Sequence, residues 1–199
     1  MSVFGLVHDR YVHPRRTNVL SAHLAELLPR EATVLDIGAG DGLITKKLQD
    51  RRPDLTLTAL EVLLRPAPHV HVELFDGTHL PQEDDSFDAA MLVDVLHHAP
   101  EPLELLAEAR RVARDTIVIK DEIATGLLAD RTLHLMERLA NTRHGISIPA
   151  TFWARDDWDA AFARLNLHVE EWRGRLGLYP VPANLFFERR FHFVARLRV

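Results

Sequence analysis

The 199-residue chain contains no cysteine. That absence excludes disulfides, thiolate metal sites and any reaction that runs through an enzyme thiolate. No apolar run reaches the roughly 18 residues that read as a membrane-spanning helix, and the opening Met1-Ser2-Val3-Phe4-Gly5 has no basic leader before an apolar stretch. The expectation is a cytoplasmic protein with no membrane partner. Internal repeats, low-complexity runs and obvious linkers are missing as well, so the length fits a single domain with a substantial core. With 47% hydrophobic and 27% charged residues, nothing in the composition points to disorder. A net charge of -5 argues against a nucleic-acid partner, because Lys and Arg on phosphates dominate that affinity. Arg15-Arg16 and Arg189-Arg190 are the short basic pairs near the two ends, and they read as solvated surface charge.

What is present is concentrated in Val34-Leu35-Asp36-Ile37-Gly38-Ala39-Gly40-Asp41-Gly42, an apolar strand ending in a glycine-rich turn. Glycine at three alternate positions lets the backbone turn sharply and approach a ligand, and a helix over Leu43 to Gln49 starts with its amides facing the same space. A dinucleotide site wants G-x-G-x-x-G, with a pyrophosphate at the helix start. Here the spacing is G-x-G-x-G, Leu43 takes the place of the third glycine, and Asp36 would repel a phosphate. S-adenosylmethionine carries an ammonium and a sulfonium, both of which favour a carboxylate, so Asp36 tips the reading away from NAD.

Thr56 to Glu61 reads as a second strand whose terminal acid suits a ribose diol. A third strand, Val70 to Phe75, ends in Asp76-Gly77, and a fourth, Phe87 to Val93, ends in Asp94-Val95-Leu96-His97-His98. Pro66 and Pro68 leave room between the second and third strands for a shortened helix or a loop. Val19, Leu20, His23, Leu24, Leu27 and Leu28 give an amphipathic helix ended by Pro29. Leu105, Leu106, Ala109, Val112 and Ala113 give another, started near Pro100-Glu101-Pro102. Arg111 to Asp115 runs straight into a fifth strand, Thr116 to Ile119. Such alternation implies a parallel, doubly wound sheet. Further on, Leu127 to Thr142 and Ala154 to Leu165 read as helices, and Leu167 to Trp172 and Arg190 to Arg198 as strands.

Taken together, VLDIGAGDG, the acid at Glu61, FDG followed by LPQEDDSFD, and DVLHHAPEP resemble the class I S-adenosylmethionine-dependent methyltransferases, in particular their small-molecule type 11 branch. The resemblance runs from about Asn18 to Ile123. It implies a Rossmann-like α/β fold: a doubly wound seven-stranded sheet, mostly parallel with an antiparallel strand near the C-terminus, and helices on both faces. Residues 1–30 then form an N-terminal helical segment, 34–123 the cofactor-binding core, 124–166 a helical acceptor-site segment and 167–199 a closing strand pair. Cofactor contacts are implied at Asp36, Gly38, Ala39, Gly40 and Asp94, ribose contact at Glu61, and adenine contact at Asp76 and Gly77.

The absent cysteine excludes the thiolate adduct of cytosine-C5 methyltransferases, and no Asn-Pro-Pro-Tyr or Asp-Pro-Pro-Tyr follows the fourth strand. A small-molecule acceptor is therefore expected. The variable acceptor segment includes Met136, Asn141, His144, Gly145, Phe152, Trp153 and Trp158, with Trp158 read as core. The catalytic candidates are His97 and His98, where a histidine is the proposed base in some O-methyltransferases of the branch, with Asp121 as an orienting carboxylate. Asp94, Asp121 and Glu122 could imitate a magnesium site, but neighbouring imidazoles are poor partners for that ion, so no metal is expected. The other readings are a non-catalytic S-adenosylmethionine-binding protein acting through a partner and, more distantly, an NAD-dependent oxidoreductase.

Overall fold

The computed structural model describes residues 13–124, 151–179 and 191–199. The predicted helix over Leu127 to Thr142, and with it Met136, Asn141, His144 and Gly145, lies outside the described residues. Helix α1 (His13–Leu27) carries Leu20, Leu24 and Leu27 on one buried stripe and stops before Pro29. Strand β1 (Thr33–Ile37) follows, buried from Val34 onward as expected of a central parallel strand. Next come α2 (Leu43–Arg51), β2 (Thr56–Glu61), β3 (Val72–Leu74) and β4 (Phe87–Val93). A single 3-10 turn at Leu96–His98 leads to α3 (Pro102–Val112), with Pro102 in its first turn and Arg110 and Arg111 in its last. Strand β5 (Ala113–Glu122) begins at the next residue, so the link before it is as short as the sequence implies. Helix α4 (Arg155–Arg164) and strands β6 (His168–Arg173) and β7 (His192–Arg198) complete the described chain.

The seven strands form one sheet in the order β3-β2-β1-β4-β5-β7-β6. Six run in the same direction, and β7 alone is reversed, antiparallel to both β5 and β6. The last strand in the chain thus takes the inner position, between β5 and β6. Successive residues of a strand face opposite sides, and this splits the core in two. Val34, Met91, Val118 and Val194 pack with Leu20, Leu24 and Leu48 under α1 and α2. Leu35, Ile37, Ile117, Ile119 and Phe193 pack with Leu106 of α3 and Trp158 and Phe162 of α4. Trp158 is 2% exposed and meets Trp153 and Phe193 edge-on, so it is core. Among the described residues no helix is long and apolar enough to cross a membrane.

Candidate active site

The carboxyl ends of β1, β2, β4 and β5 meet where the strand order reverses, between β1 and β4, and open α/β sheets bind ligands in that crevice. The chain leaves β1 through Gly38, at φ 77°. The amides of Gly38 and Ala39 both donate to the carbonyl of Leu60, at 2.9 and 2.8 Å, which pins the loop against β2. A Cβ on Gly38 would stand 2.5 Å from Val95 Cγ2, so no larger residue fits there. A Cβ on Gly40, at φ 63°, would meet nothing within 4 Å. The loop is therefore closed on its Gly38 side and open over Gly40.

Glu61 is 7% exposed and stands at the edge of that open space. Its Oε2 accepts from the Gly40 amide and its Oε1 from the Val62 amide, both at 2.8 Å. Asp36 sits lower. It is 2% exposed and accepts a 2.5 Å hydrogen bond from Thr45 Oγ1 of α2. Burial first, opposed by Thr45 and reinforced by Glu61, pushes its carboxyl up to about 7. The carboxylate expected to face a cationic ligand is thus braced under the loop, through a threonine that sequence reasoning passed over.

Beyond β3, Asp76 Oδ1 accepts from the Thr78 and His79 amides at 2.7 and 2.6 Å, which holds the turn at Gly77. Those bonds lower the Asp76 pKa. Val62 Cγ1 lies 3.1 Å from where a Gly77 Cβ would be, so the two segments face each other closely. Val62, Leu63 and Leu64 are 49%, 52% and 50% exposed, an apolar ledge beside Glu61. The sequence signal for that ledge was the Val-Leu-Leu run directly after the acid.

At the end of β4, Asp94 adopts φ 57°. Its carboxylate is held by Lys120 Nζ of β5, a fully buried ammonium, and by Arg16 Nη2 of α1 at 2.7 Å. Burial opposes the charge, but Lys120, Arg16 and His97 outweigh it and hold the carboxyl well below the usual range. Asp94 is thus paired with two cations that α1 and β5 bring to the end of β4.

Asp121 faces the other side of the sheet and is fully buried. Its Oδ1 lies 2.5 Å from His97 Nδ1 and accepts from the Glu122 amide at 2.7 Å, while Oδ2 accepts from the Leu96 amide at 3.1 Å. The structure therefore brings His97 and Asp121 together. His97 is 4% exposed, lies 5.5 Å from the Phe152 ring in a stacked arrangement and 4.0 Å from the His98 ring. Burial works against its charge, yet Asp121, then Asp94 and Glu122, raise its pKa to about 9. That shift favours the imidazolium held against Asp121. His98 beside it is half-buried. Among the described residues no cluster of three or more His, Asp or Glu is placed to hold a metal ion. A cavity of about 700 Å³ lined by Arg30, Arg52, Asp54 and Arg196 lies at the opposite, amino-terminal end of the strands.

A seven-stranded sheet of this order, with a glycine loop after β1 and an acid after β2, defines a Rossmann-like nucleoside-cofactor fold. Residues 10–171 match the model of a methyltransferase domain family. The chain belongs to the class I S-adenosylmethionine-dependent methyltransferases. Among curated relatives, the malonyl-[acyl-carrier protein] O-methyltransferase of Geobacter sulfurreducens is 29% identical over 158 residues, covering 70% of this chain and 57% of that protein. An uncharacterized methyltransferase of Mycobacterium bovis is 33% identical over 94 residues, 44% of this chain and 38% of that one. The chain thus spans about half the length, or less, of these relatives. Among solved structures, a Haloferax volcanii methyltransferase in complex with the Trm112 methyltransferase activator aligns with a TM-score of 0.70 at 20% identity, over 96% of this chain and 93% of that one. A SAM-dependent methyltransferase of Aquifex aeolicus aligns at 0.63 and 17% identity, over 94% and 93%. These two likenesses speak for the fold.

Proposed function

We propose that this chain binds S-adenosylmethionine over Gly40 and transfers its methyl group to a hydroxyl of a small-molecule acceptor. The observation that carries the reading is the open space over Gly40 with the Glu61 carboxylate at its edge. The residues fit the cofactor: Glu61 suits the ribose diol, the Val62 to Leu64 ledge and the Asp76-Gly77 turn suit adenine, and the amides of the Gly38 to Gly40 loop suit the amino-acid end. When bound, the cofactor supplies an electrophilic methyl on a good leaving group, so holding the acceptor in line supplies much of the acceleration. The buried Asp121–His97 pair anchors the turn after β4 that faces this space, with His98 carried on it. A small acceptor, rather than a polynucleotide, agrees with the net charge of -5.

Calorimetric titration tests the reading. S-adenosylmethionine and S-adenosylhomocysteine should bind and NAD should not, and Glu61→Ala should weaken binding by about 1 to 3 kcal/mol through loss of a charged hydrogen bond. Unchanged affinity in that variant, or NAD binding, would move the pocket elsewhere. Binding without turnover on any acceptor would favour the partner-dependent alternative.

Turnover is expected to be the same with and without EDTA. Two of the three carboxylates that a magnesium site would need are already paired, Asp94 with Lys120 and Arg16 and Asp121 with His97. Strand periodicity also sends Asp121 and Glu122 to opposite faces. Activity lost with EDTA and restored by magnesium would contradict this.

A further inference from the structure

A second cavity, of about 610 Å³, lies on the side of the sheet away from the glycine loop, beyond β4. Ile123 reaches it from the end of β5, Trp172 and Arg173 from the end of β6, and Phe193 from the start of β7. The volume suits a small metabolite. Arg155 and Arg175 join Arg173 in its wall, and among the described residues no Asp or Glu lines it.

Each of the three guanidinium groups keeps donors in reserve. Arg155 gives only its Nε to Asp159, at 3.0 Å from both carboxylate oxygens, so neither Nη has a partner among the described residues. Arg173 gives Nε to Glu171 and Nη1 to Glu26 and His23, which leaves Nη2. Arg175 is exposed and makes no hydrogen bond or ion pair among the described residues. The wall also has an aromatic part. Arg155 stands 3.9 Å over the Trp172 ring, and Trp172 stacks on Phe193 with centroids 4.1 Å apart and planes 8° from parallel. Stacking of this kind holds a guanidinium in a fixed plane, ready for a planar partner.

The larger cavity, of about 700 Å³, shows what the smaller one lacks. Its lining sets Arg30, Arg52 and Arg196 against Glu26, Glu31 and Asp54. Arg52 is taken up by Asp54 and by the carbonyls of Ala25, Leu28 and Pro29. That lining neutralises itself, whereas the arginines around the smaller cavity repel one another until an anion enters.

We propose that the smaller cavity binds a small aromatic carboxylate, at a site separate from the cofactor crevice. The carboxylate oxygens take the free Nη donors of Arg155 and Arg175, whose planar forks match a carboxylate better than an ammonium would. The flat apolar body lies against Trp172 and Ile123. The site does not depend on the methyl-transfer reading.

The test is an NMR titration of the isotope-labelled protein with benzoate, with benzamide as the neutral isostere and inorganic phosphate as the bare anion. Benzoate should bind with a Kd of about 1 mM or tighter, within reach of so small a ligand. It should also shift the indole N–H signal that Trp172→Phe identifies. Benzamide should bind at least about tenfold more weakly, because the charge is gone. Arg175→Gln, at an exposed side chain, should fold as wild type and weaken benzoate by about tenfold or more. Arg175→Lys should recover part of that loss, since it restores the charge without the fork. Weaker binding of benzoate to wild type, equal affinity for benzamide, or an affinity within about threefold of wild type in both Arg175→Gln and Arg155→Gln would overturn the site. Phosphate bound as tightly as benzoate would overturn the aromatic class of ligand. Displacement of benzoate by S-adenosylhomocysteine would put the carboxylate in the cofactor crevice and overturn the separate site.

Discussion

Asp121→Ala should destabilise the protein by about 3 to 5 kcal/mol in urea or thermal unfolding, because it strands a charge in the interior. Asp121 is fully buried and accepts from His97 and from the amides of Leu96 and Glu122. Truncation leaves an imidazolium at 4% exposure without its carboxylate, and two amides without their acceptor. Asp121→Asn keeps an oxygen for one amide and should fall between. The same pair sets a pH dependence. The folded pKa of His97, about 9, lies above the 6.5 of an ordinary histidine. Its contribution is therefore complete below about pH 6.5 and is lost as pH rises through about 9. Asp36 and Glu122, both raised to about 7, change mainly at lower pH, so the interval above about pH 7.5 reports chiefly on His97. Unfolding wild type and His97→Gln across that interval should show the gap between them closing by roughly 2 kcal/mol. A gap that stays constant to about pH 10 would mean that His97 is neutral in the fold.

Most of the parallel sheet was legible because its strands are continuous apolar runs closed by turn residues. Thr56 to Glu61 and Phe87 to Val93 read from sequence with the ends the structure gives. The third strand is shorter than Val70 to Phe75, because the His69 amide bonds the Asp41 carbonyl and Val70 packs on Gly42, which leaves Val72 to Leu74 for pairing. The fifth is longer than Thr116 to Ile119. Lys120, Asp121 and Glu122 are polar and do not read as strand, yet β7 pairs along all of them. That pairing is also what buries them, so the charged part of the site was hidden by the same residues that defeat a hydrophobic pattern. The glycine loop and Glu61 were visible because their chemistry is local. The partners of Asp94 were not, since Arg16 is 78 residues away and Lys120 26, and only the sheet register and the docking of α1 bring them together.

Asp94→Ala should be as damaging as loss of Asp121, about 3 to 5 kcal/mol, and for a related reason. Lys120 is fully buried, and the Asp94 carboxylate is the one the structure places against its ammonium among the described residues. Arg16 loses its partner too, and with it α1 loses a tie to the ends of β4 and β5. Backbone strain adds to the cost, because Asp94 sits at φ 57°, where Asp and Asn are tolerated better than Ala. Asp94→Asn separates the two effects by keeping the backbone preference and removing the charge. If the buried ammonium is the problem, Asp94→Asn with Lys120→Met should recover most of the stability that Asp94→Asn loses, which a double-mutant cycle would show as coupling well above 1 kcal/mol. Additive losses would deny the ion pair its role. The same double variant decides what Asp94 does at the site. With its carboxylate occupied by Lys120 and Arg16, Asp94 is expected to shape the turn rather than touch the cofactor, so the stabilised double variant should bind S-adenosylmethionine within about threefold of wild type. A tenfold loss of affinity in a protein whose stability has been restored, about 1.4 kcal/mol, would put the Asp94 carboxylate back among the cofactor's contacts.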